Sequence, residues 1–90
     1  MAARLWPPYP PCASGLCETR ECCAQRYKFQ WPELVGRDGQ QAKAIIEREN
    51  PSVTVVVLPP ERVGLPDFCC NRVYLLIDEN GKVASIPLVG

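Results

Sequence analysis

The sequence contains no histidine, and that absence removes several chemistries at once. A Ser-His-Asp or Cys-His nucleophile cannot be assembled within the chain, and neither can a mixed Cys/His zinc site. No carboxylate constellation stands out, so the chain does not read as an enzyme. An excess of one charge is also missing. Ten Lys and Arg balance ten Asp and Glu, with no block of like charges. Nucleic acid and anionic membranes therefore lose their electrostatic warrant as partners. No apolar run is long enough to span a bilayer. The opening MAARLWPPYPPCASG lacks the apolar core of a secretory signal, because proline interrupts it at the seventh residue.

What the chain does have is cysteine and proline. Six cysteines in 90 residues read as a disulfide framework in an oxidising compartment, extracellular or vacuolar. This reading conflicts with the lack of a visible signal segment. The conflict leaves open a processed form, an incomplete gene model, or thiols partly reduced in a cell interior. A chain this short builds only a modest core, for which covalent staples are a common supplement.

Residues 1–26 differ in composition from the rest. Pro7, Pro8, Pro10 and Pro11 crowd around Tyr9 and predict an extended polyproline II tail rather than helix or strand. Cys12, Cys17, Cys22 and Cys23 follow among small and polar residues, so only cross-links can hold this extension down. Residues 27–90 form the domain proper. Phe29, Trp31, Leu34 and Val35 supply an apolar anchor. Asp38 with Gln41 three residues on has the pattern of a capping box. Ala42, Ile45 and Ile46 share one helical face, which predicts a helix over residues 39–49 ended by Asn50-Pro51.

Two runs then read as strands, SVTVVVL (52–58) and RVYLLID (72–78). Valine on both faces of the first predicts an inner strand. Glu79-Asn80-Gly81 is a turn signal, after which residues 82–87 are expected to return as an antiparallel edge. Between the two strands lies LPPERVGLPDFCCNR (58–72). Pro59, Pro60 and Pro66 remove backbone donors and Gly64 adds a joint, so neither strand can continue through it. A connection this long in a small domain is usually functional or disordered. The cysteines at its far end favour an ordered loop presented to a partner.

The segments WPELVG, QAKAIIERENP, VTVVVLP, DF followed two residues later by NRVYLLIDENGKV, and PLVG, in this order and spacing, resemble the potato inhibitor I family of serine-protease inhibitors. The resemblance covers residues 29–90. It implies an α+β fold, with one helix on a small mixed sheet and a long exposed reactive-site loop between two parallel strands. A monomer is the simplest expectation, with no cofactor and no metal. The expected partner is a subtilisin-, chymotrypsin- or elastase-like serine protease. Counting back from Asn71-Arg72-Val73, the reactive bond maps onto Pro66-Asp67. Pro66 is then P1 and Asp67 P1′, with Phe68 at P2′, Leu65 at P2, Gly64 at P3 and Val63 beyond. A slip of one residue would make Leu65 the P1 residue instead.

Arg72 matches the arginine that supports the loop from the strand below. Tyr74 stands where a second supporting arginine is common, and Leu65 where a threonine is usual. Proline at P1 lacks an N–H to donate to an enzyme, which keeps open a second reading: a non-inhibitory scaffold, binding or storage protein of the same fold. Cys70 matches a cysteine that pairs near the N-terminus, here with Cys22 or Cys23. Cys69 offers a second bridge to the N-terminal segment, and Cys12 with Cys17 a small tail loop, among about fifteen full pairings. A third class of reading gathers Cys22, Cys23, Cys69 and Cys70 into a thiolate metal site or thiol switch. Their spacing lacks the C-x-x-C of zinc ribbons.

Overall fold

Helix α2, Gly39–Glu49, lies where the apolar periodicity predicts it. The Asp38 carboxylate accepts the Gln41 N–H at 3.0 Å and caps its start. Its first residue has to be glycine. A Cβ at Gly39 would lie 2.9 Å from Ile77 Cγ2, while its N–H is donated to the Gly81 carbonyl at 2.9 Å. Asn50 ends the helix and is itself buried. It donates to the Lys28 carbonyl and accepts the Ser52 N–H, each at 3.0 Å. This computed structural model describes residues 12–13, 16–64 and 67–90. The proline-rich stretch around Tyr9 lies outside them, as do Leu65 and Pro66.

The sheet has three strands, β1 Thr54–Leu58, β2 Arg72–Leu76 and β3 Leu88–Val89, in the order β1-β2-β3. β1 and β2 run parallel, with Thr54 opposite Arg72 and Leu58 opposite Leu76; β3 is antiparallel to β2. A parallel pair cannot be closed by a tight turn, because the chain must travel back the length of the strand. Residues 59–71 make that crossover without a helix among the described positions.

Side chains alternate across a strand, and the two faces have different company. Val53, Val55, Val73 and Leu75 join Trp31, Leu34, Ala42, Ile46, Val83 and Val89 in one dry cluster beneath α2. Trp31 is fully buried, and its indole N–H reaches Glu49 Oε1 at 2.9 Å. The opposite face carries Thr54, Val56, Leu58, Arg72, Tyr74 and Leu76. Over it the crossover returns.

Three expectations need correction. Among the described residues β1 is an edge strand, not an inner one. Both its faces are buried because the core covers one and the crossover side the other, so it needs no second neighbour. Its outward Val55 N–H is accepted by Glu47 Oε2 at 3.1 Å, and Lys43 Nζ holds that carboxylate at 3.2 Å. Residues 82–87 do not form the returning strand either. Only single bridges pair Ile77 with Val83 and Asp38 with Lys82, and β3 begins after Pro87. The Pro87 carbonyl goes instead to the Trp31 N–H. Finally, the N-terminal segment is not wholly extended. Arg20–Ala24 is a short helix, α1, whose Thr19 hydroxyl accepts the Cys22 N–H.

Candidate functional site: a clamped crossover loop

β2 opens with the residue that organises the loop. Arg72 is 3% exposed, so its guanidinium must find partners in place of water. Nε donates to the Gly90 carbonyl at 2.7 Å. Nη1 donates to Asp67 Oδ1 at 3.0 Å and Nη2 to the Asp67 carbonyl at 2.5 Å. One rigid fork therefore grips both the side chain and the backbone of Asp67, a geometry that a lysine could not reproduce. The guanidinium also sits 4.3 Å from the Tyr74 ring centroid, within cation–π reach.

Tyr74 supports the other half of the loop by packing rather than by charge. A Cβ at Gly64 would come within 2.5 Å of Tyr74 Cε2, so the backbone there rests directly on the ring. This close approach admits only glycine. Just before it, Val63 is 90% exposed and stands out from the surface. After Asp67, the Phe68 ring turns inward toward Gly90. The described loop thus presents Val63 outward and anchors Gly64, Asp67 and Phe68 on the sheet face below.

The cysteines lie at the base of the same loop. All six are paired: Cys12–Cys69, Cys17–Cys22 and Cys23–Cys70. Cys70 takes one of the two partners expected for it, and Cys69 makes the second bridge to the N-terminal segment. The small tail loop closes from Cys17 to Cys22 rather than from Cys12, because Cys12 is drawn away to Cys69. No cysteine thiolate remains for the metal or switch reading. The bridges closing 57 and 47 residues each stabilise by about 4 kcal/mol on the chain-entropy model, although their effects overlap.

Sequence reasoning missed three contributors. The Ala13 N–H donates to Asn71 Oδ1 at 3.0 Å, and the Cys70 N–H donates to the Ala13 carbonyl at 2.7 Å. The Gly90 carbonyl is the third, as acceptor for Arg72. Neither side chain marks its residue, since Ala13 and Gly90 both act through main-chain atoms. The neighbouring cysteines were the available signal for Ala13.

A model of the potato inhibitor I family matches residues 23–90. The inhibitor of trypsin and Hageman factor from Cucurbita maxima is 48% identical over 63 residues, covering 70% of this chain and 93% of that protein. A trypsin/subtilisin inhibitor from Amaranthus caudatus is 49% identical over 71 residues, covering 78% and 97%. The crystal structure of a bitter gourd trypsin inhibitor superposes with a TM-score of 0.69 at 45% identity, covering 72% of this chain and 96% of that one. With a helix packed on a mixed sheet and a long crossover between its parallel strands, the chain belongs to the potato inhibitor I family.

Proposed function

We propose that this protein inhibits serine proteases by offering residues 63–68 to the active site in the manner of a substrate. Pro66-Asp67 is the reactive bond, with Pro66 at P1, Asp67 at P1′ and Phe68 at P2′. Leu65, Gly64 and Val63 run back from it. Residues 27–90 form the inhibitory unit and residues 1–26 an extension cross-linked to it. The observation that carries this reading is the double grip of Arg72 on Asp67, the residue whose nitrogen must leave if the bond is cut.

The chemistry follows from that grip. The protease serine attacks the Pro66 carbonyl carbon, the bond to the Asp67 nitrogen breaks, and that nitrogen departs as an amine after taking a proton from the enzyme's own acid. In an ordinary peptide the amine diffuses away and water attacks the ester. Here Asp67 is held by Arg72, so the amine stays beside the ester at high effective concentration and re-forms the bond. A loop already in its bound shape also loses little ordering entropy on docking, which favours tight binding.

Pro66 is compact and uncharged, so it offers no partner for an acidic trypsin-type pocket. Subtilisin-, chymotrypsin- and elastase-like enzymes are the proposed targets. The test is titration of the oxidised protein against subtilisin, chymotrypsin, elastase and trypsin, with mass spectrometry of any cut species. Inhibition of an enzyme with an apolar pocket and a slow cut at Pro66-Asp67 is expected. A cut at Leu65-Pro66 would move P1 by one residue. Failure against all four, or rapid degradation of the loop, would overturn the reading in favour of a non-inhibitory scaffold.

A further inference from the structure

Four successive residues at the end of the loop each carry a separate tie. Cys69 is bonded to Cys12 and Cys70 to Cys23. The Asn71 side chain accepts the Ala13 N–H, and the Asn71 carbonyl accepts the Thr54 N–H at 2.9 Å. Arg72 holds Asp67. Three of these ties come from the sheet and from α1. The remaining set comes from residues 12–13, which lie before the family match at residues 23–90. Those two residues contact the loop three ways: by a disulfide to Cys69, by a backbone hydrogen bond from Cys70, and by a donor to Asn71.

We propose that Cys12 and Ala13 form a positioning strap that holds the primed half of the loop, residues 67–71, in place while the reactive bond is open. The strap acts through Cys69, Cys70 and Asn71 and touches no reacting atom. Its geometry suits that task. A covalent bond at Cys69, two residues beyond Asp67, limits how far the new amine can swing from the ester. The hydrogen bonds at Cys70 and Asn71 set the direction of the backbone between that covalent tie and Arg72. Where the family commonly uses a second arginine, this chain has Tyr74, which packs on Gly64 and against the Arg72 guanidinium. The inference rests on the inhibitory reading above.

The test compares the double variant Cys12→Ser/Cys69→Ser with the control Cys17→Ser/Cys22→Ser, whose bridge lies wholly within the N-terminal segment. For each, the inhibition constant, the rate at which the loop is cut by the inhibited protease and the thermal midpoint are measured. Loss of the strap should speed cutting about tenfold or more and lower the fraction of re-formed bond, since less preorganisation remains. The control should cut at the wild-type rate. Should the double variant fail to fold, Ala13→Pro keeps every cysteine and deletes the N–H donated to Asn71; a smaller rise in cutting rate is expected from it. A rise in cutting with an unchanged resynthesis ratio, tracking only a lower thermal midpoint, would reduce the strap to a stabiliser and overturn the proposal. Unchanged inhibition and cutting in both variants would overturn the strap but leave the inhibitor standing. A wild-type protein that inhibits nothing would fell the inhibitory reading first. In that case the strap predicts only faster amide exchange at Cys70 in the double variant, and slow exchange there would overturn it too.

Discussion

The face of the sheet bearing Val53, Val55, Val73 and Leu75 meets α2 through hydrocarbon. The face bearing Arg72 and Tyr74 meets the loop through a charged fork, an aromatic ring and backbone carbonyls. The first is buried, while on the second Arg72 is buried and Tyr74 half-buried, and the two are covered for different ends. Apolar packing stabilises without direction, because any well-filled arrangement removes similar area from water. Directed donors fix where particular atoms sit while adding little net stability once desolvation is counted. The sheet thus divides the work: one side makes the fold, the other sets the position of a loop that could not order itself.

Substitutions on each side can break or sharpen that division. Trp31→Ala, on the apolar side, should cost about 3–5 kcal/mol in urea unfolding. The inhibition constant of the molecules that remain folded should hardly move. Arg72→Met should do the reverse. Removing one partner of an ion pair is costly when the other charge stays buried. Asp67, however, is exposed and returns to water, so the loss should fall mainly on the loop rather than on the fold. The lost charge-assisted bonds to Asp67, about 1.5–3 kcal/mol together with their preorganisation, should raise loop cutting about ten- to a hundredfold. If Arg72→Met instead unfolded the domain and left cutting unchanged, the division would be wrong.

Gly64→Ala tests the ring beneath the N-terminal half of the loop. The added Cβ collides with Tyr74, and overpacking of this kind costs about 1–3 kcal/mol. Because the loop can lift off the ring, the loss should appear mainly as weaker inhibition, with a smaller change in unfolding midpoint. The smallest effect belongs to neither face. Lys28 pairs with Glu33 on the surface. The hydrogen bond from Lys28 holds the Glu33 carboxyl below its ordinary range, and the bond to Glu33 raises the Lys28 ammonium above its own. The Glu33 contribution is present above the ordinary carboxylate value and fades as pH falls through the lowered one. The Lys28 contribution is present below the ordinary lysine value and fades as pH rises through the raised one. Both groups are exposed, so Lys28→Met should flatten the acid limb of a stability profile only slightly.

Much of this architecture was legible in the sequence because it depends on local rules. Asp38 and Gln41 announce the start of α2, Ile45 and Ile46 its buried side, and Pro59 and Pro60 the end of β1. What escaped depends on partners distant along the chain. Whether β1 lies inside or at the edge is decided by what pairs with its outward N–H groups, here Glu47 rather than another strand among the described residues, not by the valines themselves. Residues 82–87 carry the turn and alternation of a strand, but Val83 is drawn into the core after one bridge, and the Pro87 carbonyl is taken by Trp31. α1 is too short to show a period, although Thr19 three residues before Cys22 was a readable cap. In the loop, Arg72 was recognisable from its motif, while the pairing of Cys12 with Cys69 follows only from three-dimensional proximity.

The carboxylate of Glu47 also has a consequence for encounters between molecules. An edge strand with a bare donor is a template on which another extended chain can add itself, and stacked additions of that kind are how fibrils grow. β1 is valine-rich, uncharged over Thr54–Leu58 and free of proline, which are the traits of such a template. By accepting the Val55 N–H from above, a side chain of α2 fills the place that an intruding strand would take and sets a negative charge beside it. The helix that completes the core is in this way also a guard rail along the sheet's open margin, keeping a sticky strand from recruiting its own kind.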